Sequence, residues 1–236
     1  MSRKAWIIGA SSGIGAAVAD ELQSKGWQVV RSSRSKGDLL IDIADDLSVE
    51  KAASEYQEKY GEFDLVLVMA GFWQRMSVQK FDLDVFKQHN NTNMVGLARC
   101  VAAVIPKMIT KNSGTFVGVS SVAGFRGMPG SSGYGPSKAG QLNFLESIRA
   151  DLVGSKVLIQ TVSPGFVKTP MTDVNEFKMP FIISAEQAAK TIVKGIEKRK
   201  TEIIFPLPMA ITMMLARLVP LSIWPKLFKS RKTYRK

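Results

Sequence analysis

The sequence predicts an α/β fold, a doubly wound parallel sheet with helices on both faces, on the strength of three observations. Short apolar runs alternate along the chain with amphipathic stretches of helical length, the pattern left by strands buried on both faces and joined by helical crossovers. A glycine-rich turn, with Gly9, Gly13 and Gly15, follows directly on the first run, where a strand must reverse into a helix. The chain has 236 residues, 45% of them hydrophobic, enough for one core, and no linker or internal repeat divides it.

Taken in order, Trp6-Ile7-Ile8 forms the first strand and a helix is expected near 13–25. Gln28-Val29-Val30 and the very short Leu39-Leu40-Ile41 are the next strands, followed by a helix near 48–60. Leu65-Val66-Leu67-Val68 leads into a long helix expected near 82–110, and Thr115-Phe116-Val117-Gly118-Val119 into one near 134–153. Pro136 lacks a donor and is tolerated only in a first turn, so that helix must start near Gly133. After the strand from Val157 to Val162, Ser184-Ala185-Glu186-Gln187 carries the reciprocal capping pattern that opens a helix near 185–199. Glu202-Ile203-Ile204-Phe205 is the last strand. This βαβα order is a single Rossmann-type domain over residues 1–205, with a C-terminal helical extension over 206–236 that is apolar and then basic.

Composition narrows the chemistry. The net charge is +12, but six of those charges are Lys226, Lys229, Arg231, Lys232, Arg235 and Lys236, in a stretch without an acid. The excess is a tail and not a stripe across the body, so no nucleic-acid partner is expected. Cys100 is the only cysteine, which excludes an internal disulfide, and no apolar leader precedes the first strand; a reducing cytoplasm is the expected compartment. One histidine and one cysteine do not make a zinc site, so no metal is expected and His89 is assigned a structural role.

The candidate chemistry lies in two local patterns. In Gly9-Ala10-Ser11-Ser12-Gly13-Ile14-Gly15 the glycines permit a tight turn and let the backbone approach a pyrophosphate at the helix N-terminus. Tyr134 and Lys138 lie four apart, on one helix face, where an ammonium is expected to lower the phenol pKa and make it a usable acid/base. At the end of the second strand, where NAD enzymes usually carry an acid for the ribose hydroxyls, stand Ser33 and Arg34, with Arg31 and Lys36 nearby. A phosphate dianion would meet cations there, so NADP(H) is preferred over NAD(H).

With Asn93-Met94-Val95-Gly96 on the long helix, Ser121 thirteen residues before Tyr134, and Pro164-Gly165 followed by Thr169, the chain resembles the short-chain dehydrogenase/reductase family over about residues 3–205. The resemblance implies that Tyr134 exchanges a proton with a carbonyl or alcohol oxygen as hydride moves at carbon. Lys138 would stabilise the phenolate and reach the nicotinamide ribose, Ser121 would hold the substrate oxygen, and Asn93 would hold a water joining Lys138 to solvent. It also implies cofactor contacts from Asp42 and Ile43 at the adenine edge, from Ala70 and Gly71 after the fourth strand, and from Pro164, Gly165, Val167 and Thr169 after the sixth. The chain departs from the family at Val68-Met69-Ala70-Gly71, where Asn-Asn-Ala-Gly is usual; the lost side-chain hydrogen bonds bear on local stability.

The substrate is expected to be a small hydrophobic molecule, selected by the segment from Met171 to Ile183 with Phe177, Met179 and Phe181. The resemblance further implies a homodimer or homotetramer. From Ile203 to Trp224 the chain is nearly all apolar, but Pro206, Pro208 and Pro220 leave a proline-free interior of eleven residues, Met209 to Val219. At about 1.5 Å per residue this is too short to cross a bilayer of about 30 Å. It reads either as a lid or subunit contact, or as an interfacial segment giving peripheral membrane contact with its basic tail on anionic headgroups. The rival to an enzyme is a non-catalytic nucleotide-binding or membrane-associated scaffold, against which the intact Ser121, Tyr134 and Lys138 set argues.

Overall fold

The computed structural model describes residues 3–228. Seven parallel strands form one sheet in the order β3-β2-β1-β4-β5-β6-β7. They are β1 (Lys4–Ile8), β2 (Gln28–Ser33), β3 (Leu39–Leu40), β4 (Leu65–Val68), β5 (Gly114–Val119), β6 (Val157–Pro164) and β7 (Glu202–Phe205). The chain starts at the centre, winds to the β3 edge, returns to β4 beside β1, and proceeds to β7. Between β1 and β4, where Ile8 aligns with Ser32 on one side and Val68 on the other, the winding reverses and leaves a crevice at the strand ends.

Although the strands are apolar throughout, their alternate residues serve two separate cores. Trp6, Ile8, Val66, Val68 and Phe116 point to one side and Ala5, Ile7, Leu65, Leu67 and Val117 to the other. The first side is covered by α2 (Asp46–Tyr60), α4 (Gly96–Lys111) and α5 (Tyr134–Asp151), the second by α1 (Gly13–Ser24) and α7 (Ala185–Glu197). Stacked rings of Trp6, Tyr56 and Phe63, with centroids 4.9–5.8 Å apart, add a rigid aromatic plug to the first core.

Local chemistry explains the helix boundaries. α2 begins two residues before its expected start because the Asp45 side chain accepts from the Ser48 N–H and caps it there. At α7 the two halves of the expected capping box are both made, Gln187 N–H to Ser184 Oγ at 3.2 Å and Ser184 N–H to Gln187 Oε1 at 3.0 Å. α5 starts at Tyr134, which places Pro136 in its first turn as required. The expected long helix near 82–110 is interrupted: α3 (Leu83–His89) and α4 are joined by a π-helical turn, Asn90–Val95. Gly96 then passes so close to the next layer that a Cβ would lie 2.8 Å from the Ile43 carbonyl oxygen. The stretch Leu83–Lys111 is long and apolar enough to cross a membrane, yet α4 buries Leu97, Cys100, Val104, Ile105 and Met108 in the first core.

The departure lies at Val68 and Met69, and the main chain bridges the turn there: the Met69 and Ala70 N–H groups both donate to the Ile8 carbonyl, at 2.7 and 3.0 Å. After β6 come a short helix α6 (Pro170–Asp173) and α7; after β7 comes α8 (Leu207–Leu218). α8 sets Met209 and Met213 against Val122, Phe125, Met128 and Phe166. Of the basic tail, Lys226 is described, while Lys229 to Lys236 lie outside the described residues.

Candidate active site

A cleft of about 590 Å³ opens at the strand ends around the β1/β4 crevice. The sequence-derived residues Gly9, Ser11, Ser12, Gly13, Ile14, Gly15, Ser33, Arg34, Asp42, Ile43, Ala70, Gly71, Ser121, Tyr134, Lys138, Pro164, Gly165, Val167 and Thr169 all line it. Asn93 does not; it is fully buried beneath the wall.

The turn after β1 is shaped by close approach. Gly9 has φ +96°, and a Cβ there would sit 2.4 Å from the Ala70 nitrogen; at Gly15 it would sit 2.1 Å from the Gly9 carbonyl oxygen. Only glycine lets α1 come this near the strand ends. The N-cap Ser12 makes no side-chain capping bond and the first turn carries no acid. Its N–H groups are thus left for an anion, which fits a dinucleotide pyrophosphate.

At the β2 end the four groups read together from the sequence divide. Arg34 is exposed on the cleft rim and makes no hydrogen bond or ion pair among the described residues. Arg31, in contrast, is engaged by Asp20 at 2.7 Å and Gln23 at 3.0 Å and does not line the cleft. Ser33 Oγ donates to the Lys36 carbonyl at 2.5 Å and accepts from the Lys36 N–H at 3.2 Å, closing the turn that presents Arg34. Asp42 Oδ1 accepts from the Ala44 N–H at 2.9 Å.

On the opposite wall, Ser121 leaves β5 in an extended conformation. Its Oγ donates to the Pro164 carbonyl at 3.3 Å and accepts from the Ala123 N–H at 3.1 Å. Ser121 also stands beside the Tyr134 phenol, where its hydroxyl favours the phenolate. Lys138 is 4% exposed; its Nζ donates to the Val119 carbonyl at 3.0 Å and lies 5.5 Å from the Tyr134 ring centroid. Burial pushes the Tyr134 phenol up to about 12, against a smaller opposite effect of Ser121, and pulls Lys138 down to about 7. The expectation that the ammonium brings the phenol toward neutrality is therefore not met in the chain alone: desolvation outweighs the attraction and discourages charge on both groups.

Asn93 ties the site from below. Its Oδ1 accepts from the Phe72 N–H at 2.7 Å, and its Nδ2 donates to the Phe72 carbonyl at 3.0 Å and to Ser137 Oγ at 2.9 Å. Its own carbonyl accepts from Gln141 Nε2 at 2.6 Å. The π-helical turn brings this amide to the loop after β4, a displacement that the regular apolar spacing of the long helix did not betray.

Sequence reasoning missed Trp73 and Asn175. The Trp73 ring meets Tyr134 edge-on at 5.0 Å, and its Nε1 donates to Asn175 Oδ1 at 3.1 Å, linking the loop after β4 to the segment after α6. The only signal was the position of Trp73 two residues past Gly71. His89 is buried behind them, with Nδ1 on the Val85 carbonyl at 2.9 Å and Nε2 accepting from the Gln74 N–H at 3.1 Å; burial lowers its pKa. It braces the loop as a neutral ring. Of the expected specificity segment, Met171 lines the cleft, whereas Phe177, Met179 and Phe181 do not, and Phe181 is 52% exposed.

A glycine cradle at the switch point of a parallel sheet, facing a Ser, Tyr and Lys cluster, defines an oxidoreductase with the NAD(P)-binding fold. The short chain dehydrogenase family model matches residues 3–179. An uncharacterized oxidoreductase of Myxococcus xanthus is 34% identical over 235 residues, covering 92% of this chain and 93% of its own. The 3-oxoacyl-(acyl-carrier-protein) reductase FabG of Thermotoga maritima is 28% identical over 207 residues, 80% of each chain. The structure of a short chain dehydrogenase/reductase from Burkholderia phymatum in complex with NAD has the same fold, with a TM-score of 0.84 at 21% identity over 92% of this chain and 93% of that one. The chain belongs to the short-chain dehydrogenase/reductase family and is an oxidoreductase of that family.

Proposed function

We propose that the protein interconverts a carbonyl and an alcohol on a hydrophobic substrate, using NADP(H), with Tyr134 as general acid/base. The observation that carries this reading is that Ser121, Tyr134 and the buried Lys138 line one wall of the cleft together, with Lys138 Nζ 5.5 Å from the Tyr134 ring centroid. A nicotinamide dinucleotide, when bound, supplies or accepts the hydride. The α1 N-terminus holds its pyrophosphate, Arg34 takes the 2'-phosphate, and Asp42 and Ile43 flank the adenine.

In the reductive direction Tyr134 gives its proton to the substrate oxygen, which Ser121 holds through its hydroxyl. Its raised pKa keeps that proton in place at neutral pH. Lys138 faces the resulting phenolate, and Asn93 positions Lys138 by pinning the loop after β4 and Ser137 together. The name of the Thermotoga maritima relative supports an acyl-linked ketone as the substrate class. We place the chemistry in residues 1–205, with 206–236 as an extension, and the enzyme in the cytoplasm as a homodimer or homotetramer. A non-catalytic scaffold would have no use for Ser121, Tyr134 and a buried Lys138 gathered in one cleft wall.

The test is Tyr134→Phe, assayed with NADPH against a panel of hydrophobic ketones. Turnover should fall by about 100-fold or more, while NADPH binding followed by fluorescence stays within a few-fold of wild type. Wild-type turnover in that variant overturns the assignment.

A further inference from the structure

α8 has a face that the oxidoreductase reading leaves unused. Its buried side sets Met209 and Met213 into the fold, while Leu207, Ile211, Met214, Leu215 and Leu218 point outward, 69%, 49%, 46%, 59% and 78% exposed. These positions recur at helical spacing and form one narrow stripe. Leu221, 76% exposed, continues the apolar surface past the helix end. A patch of this kind on a protein surface marks an interaction site.

Charge selects the occupant. From Ile203 to Lys236 the sequence contains no Asp or Glu and seven Lys or Arg, of which Arg217 and Lys226 are described and five lie beyond. A second copy laid stripe on stripe would bring two such acid-free ends together with no carboxylate to pair them. An anionic lipid surface offers hydrocarbon to the stripe and phosphates to the cations. The face is also held in a fixed orientation: Trp224 Nε1 donates to the Gly127 carbonyl at 2.7 Å, and Arg126 donates to the Val219 carbonyl at 2.6 Å. We propose that the outward face of α8, with the basic chain that follows it, docks this protein peripherally on an anionic lipid bilayer.

The experiment is cosedimentation of the full-length chain with phosphatidylcholine vesicles, with and without about 30 mol% phosphatidylglycerol. Wild type should pellet with the anionic vesicles at low salt and be released at about 0.5 M salt. Ile211→Glu/Leu215→Glu should reduce the bound fraction about tenfold, with cooperative thermal unfolding and NADPH binding unchanged. Should the Glu pair fail to fold, Ile211→Ser/Leu215→Ser carries the same test. Equal pelleting of wild type and stripe variants overturns the proposal by assigning binding to the basic tail alone. So does a lack of wild-type binding, or a dimer in sedimentation velocity that the stripe substitutions abolish.

Discussion

Arg34 and Lys138 show how neighbours decide what a cation can do. Arg31 and Arg34 are equivalent on paper, but Asp20 on α1 captures the first and nothing described captures the second. Arg34→Ala should therefore weaken NADPH binding by about tenfold or more while changing NADH by less than about twofold, as measured by parallel titrations; equal losses would remove Arg34 from phosphate recognition. Lys138 makes a second, pH-dependent case. In the unfolded chain it titrates at its ordinary 10.5, and in the fold near 7. Between those values the unfolded chain holds a proton that the fold has lost, so this residue makes stability rise with pH, by up to about 1.4 kcal/mol per unit. Lys138→Met lacks that linkage. Chemical denaturation from pH 7 to 9 should show wild type gaining on the variant, the variant being inactive throughout, and parallel curves would mean that the amine keeps its ordinary pKa in the fold.

Among the elements, the strand-to-helix turn of β1 and α1 is the most demanding. At Gly15 an added Cβ would stand 2.1 Å from the Gly9 carbonyl oxygen, whereas at Gly127 it would meet nothing within 4 Å. Gly15→Ala should cost about 1–3 kcal/mol in denaturant unfolding and weaken dinucleotide binding, with Gly127→Ala within about 0.5 kcal/mol of wild type. This turn was legible because glycine spacing is a local signal, as was the Ser184/Gln187 box. The π-helical turn at Asn90–Val95 was not, since the apolar pattern runs through it and what displaces it is the distant hydrogen bonding of Asn93 to Phe72 and Ser137. Trp73 was missed for the same reason: its partners Tyr134 and Asn175 are far away in sequence. The candidate residues that line the cleft are fixed by a strand end or a helix spacing, and those that do not, Arg31, Phe177 and Phe181 among them, depend on where a side chain is drawn by tertiary neighbours.

At the scale of the molecule, a net charge of +12 acts on every association in the same sense. Two copies of this chain repel one another, and salt screens that repulsion over a distance of about 10 Å at 0.1 M. The self-association proposed above would have to rest on apolar contact, for which α4 and the turn before it offer the exposed Ile109 and Val95. Its salt dependence should then run opposite to that of lipid docking. In sedimentation velocity at micromolar concentration, species of two or four times the 25.9 kDa chain should become more populated as salt is raised from about 0.05 to 0.5 M, over the range in which anionic vesicles release the protein. A chain that stays monomeric at high salt would end the oligomer reading without touching the lipid one. An oligomer that dissolves in salt would require acid-to-base contacts between copies, which a surface with 20 acidic and 32 basic side chains is poorly disposed to make.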